Sequence, residues 1–295
     1  MYKTIVVPLD GSKLAESALP IAERIAAGLN ARISLISIVD ADLAPPAGSR
    51  RSAGVAASAV ARAEVYLRSV VERVELPRGR VAASAKLAKV AEAIVEEAER
   101  EPATLITMST HGRSGVGRFL LGSVADKVLH ATKAPLLLFR PREGAAGKLN
   151  TVIVPLDGSE LAEKALAHAL ALAKALSLKV LITRVVPLHV AAVAAADPMA
   201  WLPVDADITE ALQKEAESYV AKKAQEVKAG GVTDVTTRIF TGAAATAIID
   251  LVHSVPDSFV ALTTHGRSGA LRTVLGSVAD RVVSHAAAPV LVVRP

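Results

Sequence analysis

The chain contains itself twice. Thr4 to Leu29 aligns with Thr151 to Leu176 without a gap at 15 identities in 26, and Thr107 to Pro141 aligns with Ala261 to Pro295 at 19 in 35. The offsets are 147 and 154 positions, so the second copy is seven residues longer between the two blocks. A repeat of about 150 residues is too long for a solenoid unit and matches one ordinary domain. This predicts two tandem domains of one fold, residues 1–142 and 149–295, joined by a short flexible linker over Glu143 to Leu149. The extra residues of the second copy fit between Pro187 and Ile208, and the matching connection in the first runs through Pro45-Pro46 and Gly48.

Composition bounds what such domains can do. With 52% hydrophobic and 21% charged residues, each copy has material for its own core. The formal charge is +5, but the basic residues are dispersed and aromatics make up 3%. Stacking on bases needs aromatic side chains and tracking a phosphate backbone needs a clustered basic stripe, so a nucleic-acid partner is not expected. The absence of cysteine excludes disulfides, thiol catalysis and Cys-ligated zinc. Asp10 and Gly11 directly follow the first short apolar run, which does not suit a signal peptide, and no uninterrupted apolar stretch reaches membrane-spanning length. The expectation is a cytoplasmic protein with no membrane partner.

Each copy alternates two periodicities. Lys3 to Leu9, Ile33 to Val39, Val81 to Ala85, Thr104 to Ser109 and Pro135 to Phe139 read as strands. Helical spacing covers Ser12 to Leu29, Ala56 to Val74, Val90 to Arg100 and Ser123 to Ala131. The second copy repeats the strands at Val152 to Leu156, Val180 to Val185, Val235 to Phe240, Val260 to Thr263 and Pro289 to Val293. Strands this apolar, separated by helices, predict an α/β fold: two doubly wound domains, each a five-stranded parallel sheet with helices on both faces. Such sheets bind ligands beyond the carboxyl ends of their strands.

The blocks on which the copies agree fall at those ends. One is Pro8-Leu9-Asp10-Gly11-Ser12 against Pro155-Leu156-Asp157-Gly158-Ser159. The other is Thr110-His111-Gly112-Arg113-Ser114-Gly115, followed by Leu121-Gly122-Ser123-Val124, against Thr264-His265-Gly266-Arg267-Ser268-Gly269, followed by Leu275-Gly276-Ser277-Val278. A glycine-rich loop entering a helix headed by Gly-Ser offers backbone N–H groups, a hydroxyl and the positive end of a helix dipole, which suit a phosphate chain. An acid at the end of strand one would face a base or ribose across the crevice.

In these residues the chain resembles, over nearly its full length, a tandem member of the universal stress proteins (the UspA family) in its ATP-binding subgroup. That subgroup carries G-x2-G-x9-G-[ST], and nine residues separate Gly112 from Gly122-Ser123 and Gly266 from Gly276-Ser277. The resemblance implies an adenine nucleotide α-hydrolase-like fold and a stress-response protein acting through bound ATP or another adenine nucleotide, with or without Mg2+. It assigns Asp10 and Asp157 to the adenosine-side acid, and Ile38 and Val185 to the position that holds the base through its backbone. It assigns Gly112, Gly122 and Ser123, and Gly266, Gly276 and Ser277, to the phosphate cradle, and counts Pro8, Val124, Pro155 and Val278 among the nucleotide-binding residues. Ser109 and Thr263 stand where the family has its first glycine. The resemblance also implies pairing through the last strand, so the two copies are expected to pair within one chain, with a homodimer as a further option.

The same residues admit other readings. Asp10 and Asp157 could cap the first helix, and the glycines could serve only a tight loop with positive φ. His111 and His265 lack partner ligands at metal spacing, and Arg113 and Arg267 could balance phosphate charge or merely solvate the loop. No Walker sequence is present, and the glycine spacing does not fit a dinucleotide fingerprint. No repeated nucleophile and base pair is seen, so no catalytic residue and no metal site is assigned. A slow ATPase and an interaction module with a vestigial site remain as alternatives.

Overall fold

A computed structural model describes residues 2–43, 50–77, 79–110, 121–140, 148–187, 206–264 and 275–294. The first copy forms β1 (Thr4–Pro8), β2 (Arg32–Asp40), β3 (Val81–Ala88), β4 (Thr104–Ser109) and β5 (Leu136–Phe139). The second forms β6 (Thr151–Pro155), β7 (Lys179–Val186), β8 (Val235–Thr241), β9 (Ser258–Thr263) and β10 (Val290–Val293). The helices are α1 (Lys13–Glu16), α2 (Leu19–Leu29), α3 (Arg50–Val71), α4 (Val90–Glu99) and α5 (Ser123–Ala131), then α6 (Glu160–Leu176), α7 (Ala206–Ala229), α8 (Ala244–Ser254) and α9 (Ser277–His285).

Within each copy the strands are parallel, ordered β3-β2-β1-β4-β5 and β8-β7-β6-β9-β10. This is a doubly wound sheet in which the winding direction reverses between β1 and β4, and between β6 and β9, opening a crevice at their carboxyl ends. One apolar layer joins α1, α2, α3, α6 and α7 to one face of the sheet. A second joins α4, α5, α8 and α9 to the other. Strand alternation explains the split: Leu105 faces the first layer, while Ile106 and Met108 belong to the second.

The copies join edge to edge. β5 pairs antiparallel with β10, Leu137 opposite Leu291, which fuses the halves into one ten-stranded sheet among the described residues. Leu137 and Leu291 are themselves equivalent positions of the repeat, so an approximate twofold axis passes between them. On one face α2 packs on α6 at the same axis. A Cβ on Gly28 would lie 2.5 Å from the carbonyl oxygen of Ala175, its own equivalent. On the other face Arg140 donates to Ser284 O at the end of α9, and Arg294 donates to Leu129 O at 3.2 Å and to His130 O at the end of α5. Guanidinium groups suit helix carboxyl ends, where unpaired carbonyls carry partial negative charge.

The expected single helix from Ser12 to Leu29 is broken into α1 and α2. Pro20, in the first turn of α2, lacks the N–H that would continue the helical ladder. The second copy has Ala167 at this position, and α6 runs unbroken. The expected linker core and the longer connection of the second copy, residues 141–147 and 188–205, lie outside the described residues.

Candidate functional site

The two domains build the end of their first strand identically. β1 and β6 end on Pro8 and Pro155, after which Leu9 N–H donates to Ile36 O and Leu156 N–H to Thr183 O, each at 2.8 Å. The chain then turns at Gly11 and Gly158, with φ of +85° and +90°, a region that favours glycine. Oδ1 of Asp10 accepts the Ser12 backbone N–H at 2.9 Å and its hydroxyl at 2.6 Å, and Asp157 does the same with Ser159. The serine Oγ in turn accepts the N–H of Ala15 or Ala162 at 3.1 Å. The serines therefore cap the helices, and the aspartates hold the serines.

The end of the fourth strand is equally repeated. Thr110 O accepts the N–H of Gly122 at 2.8 Å, and Thr264 O that of Gly276 at 2.7 Å, so each glycine loop leaves and returns at one threonine. The loops themselves, residues 111–120 and 265–274, lie outside the described residues, and with them Gly112, Gly266, His111, His265, Arg113 and Arg267. Gly122 and Gly276 head α5 and α9 with φ −63° and −62° and ψ 147° and 144°. Any residue adopts that extended backbone, so positive φ does not explain these two glycines. The N-cap residue of each helix is the glycine itself, so it supplies no capping side chain. The first-turn amides at Ser123-Val124 and Ser277-Val278 thus meet an entrance with no Cβ over it, at the positive end of the helix.

In the second domain these pieces surround one cavity of about 320 Å³, lined by Pro155, Asp157, Val185, Thr263, Gly276, Ser277 and Val278. Those are all the site positions read from the second copy that fall within the described residues. Leu156, Ile248, Leu262 and Ala279 make its apolar wall. In the first domain Pro8, Asp10, Ile38, Ser109, Gly122, Ser123 and Val124 hold the same stations on β1, β2, β4 and α5. A larger hollow of about 480 Å³ opens at the seam of the domains, lined by Tyr2, Thr104, Ala134, Pro135 and His168 among others. It contains none of the repeated site residues, and the smaller cavity is where the chemistry converges.

The structure adds residues that the motif did not indicate. Tyr66 donates to Glu16 Oε1 at 2.9 Å, tying α3 to α1, and Tyr219 donates to Glu163 Oε1 at 2.8 Å, tying α7 to α6. Burial, then the glutamate bond, then the glutamate charge push both phenols well above their usual range, and Asp10 or Asp157 adds to the effect. Burial pushes Glu16 and Glu163 upward, but Arg73 with Tyr66, and Lys223 with Tyr219, outweigh it and hold both carboxyls below their ordinary value. In the second domain alone, Arg184 lies buried on β7, donates to both carboxylate oxygens of Glu215 at 3.1 and 2.7 Å, and stacks 4.9 Å from the Tyr219 ring centre. Ser37 is its equivalent in the first copy. The tyrosine and glutamate pairs could have been sought by matching α3 to α7. Arg184 stands out in the apolar run of β7, but its burial and its partners on α7 are not readable from that run.

The universal stress protein family model matches residues 1–140 and again 148–294. The chain belongs to the universal stress protein family. A universal stress protein of Methanocaldococcus jannaschii is 30% identical over 146 residues, covering 48% of this chain and 81% of that protein. One from Mycobacterium tuberculosis is 26% identical over 305 residues, covering 98% of this chain and 99% of its own length, so the tandem arrangement is shared. The crystal structure of a universal stress protein from Archaeoglobus fulgidus superposes with a TM-score of 0.70 at 20% identity, covering 99% of this chain and 98% of the other. That likeness supports the tandem doubly wound fold. Among the described residues of this universal stress protein, no helix is long and apolar enough to cross a membrane.

Proposed function

We propose that each domain holds one adenine nucleotide, ATP in the first instance, and that the protein signals through the bound state without designed turnover. The observation that carries this reading is the convergence of Pro155, Asp157, Val185, Thr263, Gly276, Ser277 and Val278 on one cavity at the point where the winding of the sheet reverses. A cavity with apolar walls and a few convergent polar groups is the usual form of a small-molecule site. The base would lie against Leu156, Val185 and Ile248. Asp157 would accept hydrogen bonds from the ribose. The phosphates would meet the entrance of α9, where Gly276 leaves room for an oxygen close to the backbone and the dipole favours negative charge.

Mass spectrometry of the supernatant from denatured, purified protein tests this directly. An adenine nucleotide retained in that supernatant, with no steady phosphate release from added ATP, is the expected result. Sustained phosphate release would make the protein a slow ATPase. An empty site that also fails to take up added nucleotide would leave an interaction module.

A further inference from the structure

Thr183 is fully buried, and its Oγ1 makes no hydrogen bond among the described residues. It lies on β7 opposite Pro155 and lines the cavity of the second domain. By strand alternation its side chain shares a face with Leu181 and Val185, which pack in the layer of α8 and α9. The equivalent position in the first domain is Ile36, opposite Pro8, buried in the same apolar layer. The fold therefore accepts an apolar side chain here, and folding alone gives no reason for a hydroxyl. An unpaired hydroxyl in the interior is a liability that folding does not need.

We infer that Thr183 is a specificity-determining residue of the second domain, whose hydroxyl bonds an edge atom of the ligand's heteroaromatic ring and gives the two domains different ligand preferences. The inference rests on the nucleotide reading above. A hydroxyl both donates and accepts, so it suits a purine edge that presents a ring nitrogen or an amino group. Its burial keeps bulk water from competing for the hydroxyl, and the cavity lies on the same side of β7, beside Val185, Ile248 and Leu262. Ile36 offers the first domain only apolar contact, and that site discriminates less between rings that differ in their edge atoms.

The test uses the full chain with Gly122→Leu, which silences the first site, and reads the second by calorimetric titration with ATP. Thr183→Val keeps the shape and removes the hydroxyl, and should weaken ATP about tenfold. Thr183→Ser keeps the hydroxyl and should bind within about twofold of the parent. The thermal midpoint of unliganded Thr183→Val should equal or exceed that of the parent, because a buried unpaired group is gone. Unchanged affinity in Thr183→Val would overturn the inference and leave the hydroxyl a packing defect. Equal weakening in both variants would overturn it too, since shape and not the hydroxyl would then matter. If the unaltered chain takes up no adenine nucleotide, the functional reading itself fails, and that result is obtained before any residue at position 183 is changed.

Discussion

Gly122 and Gly276 stand at helix entrances in a backbone conformation open to every residue, so their lack of a side chain is the property to explain. Replacing both with leucine should weaken ATP binding at both sites by at least about tenfold, as lost access to charged hydrogen bonds implies. Stability should fall by no more than about 2 kcal/mol, the cost of replacing a glycine N-cap at each helix, because neither position demands positive φ. Calorimetry and thermal unfolding on the same variant check the two halves of that statement. These glycines were legible because both copies keep them at one spacing. Asp10 and Asp157 were legible as well, though not their use: Oδ1 braces the capping serine, a detail that depends on the φ of Gly11 and Gly158. Thr183 was invisible as a site residue. A single threonine in an apolar strand says nothing about whether its hydroxyl finds a partner, which is decided by what packs against that face.

Elements followed the hydrophobic periodicity closely, and strand β4 matches its expected span. The break at Pro20 shows where periodicity is a poor guide: the apolar spacing runs through the proline, but the hydrogen-bond ladder cannot. β7 teaches the converse lesson, since Arg184 interrupts its apolar run and is buried all the same. Its charge is accommodated by α7, an element remote in sequence that supplies Glu215 and the Tyr219 ring. Glu215→Ala should therefore destabilise the second domain more than a surface change does, by about 1 to 3 kcal/mol, because it leaves a buried guanidinium without its carboxylate. The Glu215 side chain is itself more than half exposed, which keeps the cost below that of a fully buried pair. Urea denaturation of this variant beside Glu217→Ala gives the comparison; equal midpoints would show that the pair contributes little.

At the scale of the whole molecule, the antiparallel seam points the two crevices toward opposite ends of one sheet. Gly28→Val should strain the α2 and α6 crossing and lower stability by about 1 to 3 kcal/mol. Gly54→Ala, with open space around its Cβ, should not lower stability. Denaturant midpoints of the two variants decide the matter. The seam also carries an asymmetric polar contact, Tyr2 Oη to His168 Nδ1 at 2.5 Å, where the equivalent positions are Leu149 and Ile21, both apolar and buried. Burial lowers the His168 pKa, so the folded state holds this ring neutral while the unfolded chain protonates it near its ordinary value. The contribution of His168 is complete above about pH 6.5 and is lost as pH falls toward the depressed folded value. Thermal midpoints should fall more steeply in the parent than in His168→Ile between about pH 7.5 and 5.5; parallel curves would contradict the assignment.

On the proposed reading, the duplication made two nucleotide sites in one chain. Calorimetric titration of the full chain with ATP is the decisive measurement. Two nucleotide sites give saturable binding of two molecules per chain, one in each domain, with one molecule lost in Gly276→Leu and the other in Gly122→Leu. Absence of saturable binding, or binding that survives both changes together, would contradict that reading.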